Sequence, residues 1–384
     1  MCLGKCSQIL PTKILWRRLA VCMLFGAGVV AGSVTAANGA WPPKSLQQRE
    51  LQTPSGCMPL YIGPAPPGAW YVLPNCHSVG YLGAFTTRNV WELPLRSSTP
   101  ISVIPARDSL WAADSSDQMV VRISLGANVS ISFAQTLQAN PVSVVRDVSG
   151  RPWVTLPASG AFARLSQSGD FEYACSPTEF PPLIIIKGLD SLFFTEVHEK
   201  SIGRVNPDGS VWEVSVERPG PNAWKSVGRL KWEGNLYCKS QPTAFPSMTP
   251  ASLLSDPPAR IIADGNGRVW FTQNANQGVI RSGIGQIDAR GNIRLFPIPS
   301  KTKVADIALQ TNDSVWFTEP FADRIAMLAS DGTIREYPLK ADSFPFGLTF
   351  DGNGTLWFTE PTRHALGYSR ATEGHGEVPR HVTQ

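Results

Sequence analysis

Along the chain a short apolar run, a glycine-rich polar turn and a second apolar run keep returning. They are clearest in residues 343–361, SFPFGLTFDGNGTLWFTEP. Two such runs joined by DGNG predict a strand hairpin, because glycine supplies the positive φ that a tight turn needs. The second run, LWFTE, returns as VWFTE, VWFTQ and LFFTE, all rich in the aromatic and β-branched residues that strands favour. A third run follows, SIGRV at 201–205, GIGQI at 283–287 or RIAML at 324–328. Another turn, PDGS or SDGT, leads to a fourth, VWEVSV or IREYPL. One unit therefore predicts four antiparallel strands.

The unit repeats at a nearly fixed period. Aromatic marks stand at Trp70, Trp111, Trp153, Phe193, Trp270, Trp316 and Trp357, spaced 41, 42, 40, 77, 46 and 41 residues. Eleven or twelve residues before each stands Pro59, Pro100, Pro141, Pro182, Pro258, Val304 or Pro345. Proline suits the opening of a strand, where a missing N–H is least felt. A period of roughly 40–45 residues with four strands per unit marks propeller blades. The chain is predicted to be all-β, a seven-bladed β-propeller of four-stranded antiparallel blades. Residues 217–256 make the long gap and read as an insertion between blades four and five, with one small hairpin around RLKWEGNLYCK. Blade seven lacks an obvious fourth strand. Either EVPRHV near the C-terminus or the segment before Cys57 would complete it.

The first forty residues change the picture of charge and location. Lys5, Lys13, Arg17 and Arg18 precede LAVCMLFGAGVVAGSV, an apolar run of sixteen, and small residues follow. This order predicts a secretory signal peptide over 1–40, cleaved after Ala36, Ala37 or Ala40, with the propeller over 41–384. The run is shorter than the ~20 residues of a membrane span, so no membrane association is expected after cleavage. The leader also carries the whole net charge of +4, leaving 30 basic and 30 acidic residues in the rest. No basic stripe remains to suggest a nucleic-acid partner. Cys57, Cys76, Cys175 and Cys238 survive cleavage, and an even count in an exported chain predicts two disulfides. Cys57–Cys76 and Cys175–Cys238 are the pairings nearest in sequence among three connectivities. The expected compartment is periplasmic or extracellular, and the expected state a monomer.

The repeat PFGLTFDGNGTLWFTEPTRHALGYS, together with SVWFTEPFADRIAMLASDGTIREYPL, resembles that of the virginiamycin B lyase (streptogramin lyase) family of seven-bladed propellers. The likeness is clear over roughly 180–370 and in register over 57–180. The resemblance implies a Mg²⁺-assisted lyase that opens a cyclic depsipeptide antibiotic by elimination at an ester, with a histidine handling the proton. It places a histidine after the opening residue of the last two blades, a glutamate before the last opening proline and another after the last WF-x-x. Here those places hold Ala305, Phe346, Phe344 and Pro361, and Leu60, Ile101, Val142, Leu183 and Ala259 fill the histidine place elsewhere. None of these side chains binds a proton or a metal at neutral pH. The fold is expected to be inherited and the lyase chemistry lost.

What remains is a set of polar candidates. Asp114, Glu196, Glu319 and Glu360 each lie three residues past a blade's aromatic, with Gln273 at the same place. If they ring the channel mouth, their oxygens would suit Mg²⁺ or Ca²⁺; if each binds backbone at its own blade's corner, they are repeated scaffold. FTEVHEKS at 194–201 puts Glu196, His198 and Glu199 close together, and His364 follows Glu360. Glu196, His198, Glu360 and His364 are the catalytic candidates, and Asp114 and Glu319 the metal candidates. Two functions follow from different classes. One is an exported module that binds a small molecule, peptide or protein on its top face. The other is a metal-dependent C–O lyase or related hydrolase.

Overall fold

Seven antiparallel sheets account for the seven aromatic marks. The computed structural model describes residues 45–65, 68–83, 90–95, 100–106, 108–125, 129–196, 201–216, 223–238, 260–274, 282–310 and 314–370. The expected signal peptide and EVPRHV lie outside them. Blade one comprises Ile62–Ala65, Gly68–Leu73, Ser78–Leu82 and Val90–Pro94. Blade two comprises Pro100–Ala106, Ser109–Asp114, Met119–Leu125 and Val129–Thr136, and blade three Val144–Arg146, Pro152–Leu156, Ala161–Leu165 and Phe171–Cys175. Blade four begins with Pro182–Lys187, Leu192–Glu196, Ser201–Val205 and Ser210–Ser215. Blade five has Ile261–Ala263, Val269–Gln273, Gly283–Ile287 and Ile293–Pro297, and blade six Ile307–Leu309, Val315–Glu319, Arg324–Leu328 and Ile334–Pro338. Each first strand contacts the first strand of the next blade, and that of blade seven, Leu348–Phe350, contacts that of blade one. The first strands thus form a closed inner ring around a channel.

The repeated residues hold the blades in shape. The indole N–H of Trp153, Trp270 and Trp357 donates to Asp147, Asp264 and Asp351, six residues upstream, at 3.0–3.1 Å. The other oxygen of Asp351 accepts the N–H groups of Asn353 and Thr355, which closes the DGNG turn. The glycine of IGR has a steric cause: a Cβ on Gly203 would lie 2.0 Å from Cζ of Phe194, whose ring covers it. Threonine in WFTE ties blade to blade. Thr318 Oγ1 accepts the Asp306 N–H at 3.1 Å and donates to the Phe346 carbonyl of the next blade at 2.7 Å. Thr155 and Thr359 donate likewise to the carbonyls of Leu183 and Leu60, the second across the ring's seam. Aromatic and aliphatic side chains from facing blades fill the space between sheets, as with Trp270, Phe296, Phe317 and Leu328 between blades five and six.

Blade seven takes its fourth strand from the other end of the described chain. Leu356–Glu360 and Ala365–Ser369 follow its first strand, and Arg49–Gln52 pairs outside them, Arg49 opposite Tyr368 and Gln52 opposite Ala365. The segment before Cys57 therefore closes the ring. Both disulfides join the pairs nearest in sequence, Cys57–Cys76 and Cys175–Cys238. The described part of the 217–256 stretch differs from the expected small hairpin. Lys225–Arg229 is a fifth strand on the outer edge of blade four. The chain then crosses to blade three, where Glu233 exchanges two backbone hydrogen bonds with Tyr173. Arg164 explains the crossing: its guanidinium lies 3.9 Å from the Trp232 ring centre while it pairs with Glu172 at 3.0 Å. Two open sheet edges that would otherwise expose hydrogen-bonding groups are covered in this way.

Candidate functional site

The start of a first strand and the end of a second strand share one face. Pro100 pairs with Asp114, and Pro182 with Glu196. That face, the top, carries Asp114, Glu196, Glu319, Glu360 and His364. Strand alternation then decides where each points. In blade six Phe317 and Glu319 project to the same side of the second strand, and Phe317 packs towards blade five. The carboxylates at the ends of the second strands are accordingly buried between blades.

Glu196, Glu319 and Glu360 are fully buried, and Asp114 nearly so. Asp114 caps its own turn, one carboxylate oxygen accepting the N–H groups of Ser116 and Asp117. Burial pushes Glu319 up to about 7, against the pull of the Ser300 hydroxyl, and the nearby Glu336 carboxylate adds to the rise. Burial does the same to Glu360, also to about 7, with Ser343 opposing it and Glu50 reinforcing it. Glu360 accepts a hydrogen bond from Gln48 Nε2 at 2.7 Å, so it serves the seam. His364 is exposed and follows the short 3₁₀ turn Pro361–Arg363. Its Nδ1 lies 2.7 Å from the carbonyl oxygen of Gly56, which directs the ring to the closing segment. His198 lies outside the described residues. Among the described residues no three acidic, histidine or cysteine side chains gather as a metal site would require.

At the histidine places of blades six, seven and one stand Ala305, Phe346 and Leu60, all buried in one apolar cluster with Tyr61 and Trp70. Beside them Phe344 adopts a left-handed backbone, φ 43°, held by an Asp323 oxygen that accepts its N–H at 2.8 Å. Its ring meets Phe321 edge-on at 5.4 Å, and Phe321 is 61% exposed. This corner of the top face is aromatic. Two charged residues of the inner ring had no signal in the repeat pattern. Arg260 and Asp306 form an ion pair, Nε to Oδ1 at 3.2 Å, and the Arg260 guanidinium lies 4.0 Å from the Tyr61 ring centre.

The sequence profile of the virginiamycin B lyase family matches residues 43–225 and 246–381. The chain belongs to the virginiamycin B lyase family. A virginiamycin B lyase of Nocardia farcinica is 29% identical over 197 residues, which cover 51% of this chain and 68% of that protein. Among solved structures, a virginiamycin B lyase from Staphylococcus aureus superposes with a TM-score of 0.65 at 22% identity, over 84% of this chain and 98% of that one. Hydrazine synthase of Kuenenia stuttgartiensis superposes with a TM-score of 0.58 at 11% identity, over 81% of this chain and 95% of that one. At such identities the structural likenesses establish the fold alone. Within the family, the match skips residues 226–245, whose described part, 226–238, includes the crossing from blade four to blade three.

Proposed function

We propose that this propeller is an exported, non-catalytic member of the virginiamycin B lyase family that binds a small molecule, peptide or protein on its top face. One observation carries the reading. Where the family resemblance calls for a proton-handling histidine in the last two blades, the chain has Ala305 and Phe346, both buried in an apolar cluster. The glutamate place before Pro345 holds Phe344, which turns an aromatic edge beside exposed Phe321. Aromatic side chains of this kind recognise flat or apolar groups, and Ala305, Phe346 and Phe344 supply no acid, base or metal ligand at those three places. Two disulfides support an oxidising compartment. Among the described residues no helix is long and apolar enough to cross a membrane.

The test is incubation of the purified protein with a streptogramin B cyclic depsipeptide and Mg²⁺. Ring opening by elimination leaves the mass unchanged, so it is followed by chromatographic retention. No turnover over a day at high protein concentration is expected. Turnover that a chelator abolishes would overturn the proposal in favour of a metal-dependent C–O lyase, and Glu360 and His364 would then be replaced first.

A further inference from the structure

Tyr61, Ser143, Arg260, Asp306 and Gly347 occupy one level of the inner ring. Their carbonyls accept hydrogen bonds from Val72, Thr155, Thr272, Thr318 and Thr359, the same position in five second strands. Arg260 belongs to blade five and Tyr61 to blade one, three steps away around the ring. A 4.0 Å contact between them spans the interior, so both side chains point into the channel.

Arg260 has one scaffold role: burial pushes the Asp306 carboxyl up, and the guanidinium at its side opposes that rise. Ser102 and Ser143 also bridge neighbouring first strands, accepting the N–H groups of Val144 and Ile185 at 3.1 Å. Asp306 makes the corresponding bridge with Oδ2, which accepts the Leu348 N–H at 3.1 Å, while Oδ1 accepts the N–H of Ile307 at 3.0 Å. Arg260 meets Asp306 at Nε. The Arg260 side chain is 21% exposed, and its guanidinium is held on two sides, by Asp306 at its Nε edge and by the Tyr61 ring on its face. Among the described residues no acceptor takes a hydrogen bond from its terminal nitrogens.

We infer that the channel holds an oxyanion of a small ligand, a carboxylate or a phosphate, on the two terminal nitrogens of Arg260. A guanidinium keeps its charge at any ordinary pH, and its planar fork matches two oxygens of one acid group. Asp306 and Tyr61 fix the plane of the fork before the ligand arrives, which lowers the ordering cost of binding. The site lies inside the ring, with Tyr61 in the apolar cluster against which Phe344 packs, and it calls for a charged group where the corner at Phe321 and Phe344 calls for an apolar one. It does not rest on the proposed top-face function.

The experiment titrates the purified protein with sodium acetate and, separately, inorganic phosphate against sodium chloride at matched ionic strength, by calorimetry and thermal melting. Saturable binding and a raised melting temperature are expected with at least one of the two anions and not with chloride. Arg260→Gln should weaken that binding at least tenfold, while Arg229→Gln, on the exposed edge of blade four, should leave it unchanged. If Arg260→Gln does not fold, Arg260→Lys serves instead. It keeps the charge and loses the fork, and a tenfold loss for acetate is again expected. Tighter binding of acetate names a carboxylate, and tighter binding of phosphate a phosphate ester. No saturable response from the native protein, or an undiminished response in the Arg260 variants, overturns the inference.

Discussion

Thr318 joins two blades with a single hydroxyl, taking an N–H from Asp306 and giving its proton to the carbonyl of Phe346. Both partners are buried, so removing the hydroxyl leaves two polar groups unmatched. Thr318→Val should cost about 1–3 kcal/mol, read as a lower urea midpoint with an unchanged slope. An unchanged midpoint would show that the bridge is redundant. At this scale the repeat was legible wherever a residue does the same work in every blade. Tryptophan, aspartate, threonine and glycine recur because each meets the same neighbour every time. Arg260 and Asp306 were not legible, since each occurs once and they stand 46 residues apart. Only the closure of the ring brings them opposite Tyr61. Gln48 was missed for the same reason, as its contact with Glu360 spans 312 residues.

Blade seven is the element in which local order failed to define the strands. Its fourth strand is Arg49–Gln52, fastened by polar contacts that ordinary strand signals do not encode. Glu50 is paired with Lys340 at 2.9 Å and Arg363 at 3.2 Å. Burial pushes the Glu50 carboxyl up, but hydrogen bonds from Lys340 and Arg363 outweigh it and hold the group below its usual value. Glu360, beside it, is raised to about 7. A carboxyl raised on folding contributes stability that is full below about pH 4.5 and is lost as pH rises through about 7. Glu319 acts in the same direction in blade six. The melting temperature should therefore fall between pH 5 and pH 8. Glu360→Gln keeps an acceptor for Gln48 but cannot ionise, and should make that fall shallower. The Glu50 contribution is lost only below pH 4.5, outside this window. A melting curve for the variant that tracks the native protein from pH 5 to 8 would remove Glu360 as the cause.

Across the whole molecule, the ring depends on both the inner contacts and a few long-range fasteners. The Cys175–Cys238 bridge closes a loop 63 residues apart in sequence and Cys57–Cys76 one of 19. Chain-entropy reasoning assigns them about 4 and about 3 kcal/mol. Cys175→Ser/Cys238→Ser should lower the melting temperature and speed proteolytic cutting within 223–238, where the chain crosses from blade four to blade three. Cutting rates equal to those of the native protein would show that Trp232 and the backbone pairing with Tyr173 hold the crossing unaided. The number of blades could be counted from the sequence because the period is nearly fixed outside the one long gap. The crossing could not be placed, because it obeys no period and answers to two blades at once. The seam has a mechanical consequence as well. Arg49 lies opposite Tyr368, so the described chain enters and leaves blade seven at the same end of the paired strands. A pull on the two ends would load one rung of the ladder at a time, and the seam would open like a zipper under modest tension. On the Arg49 side the tear would run as far as Cys57, where the bond to Cys76 carries the load into blade one.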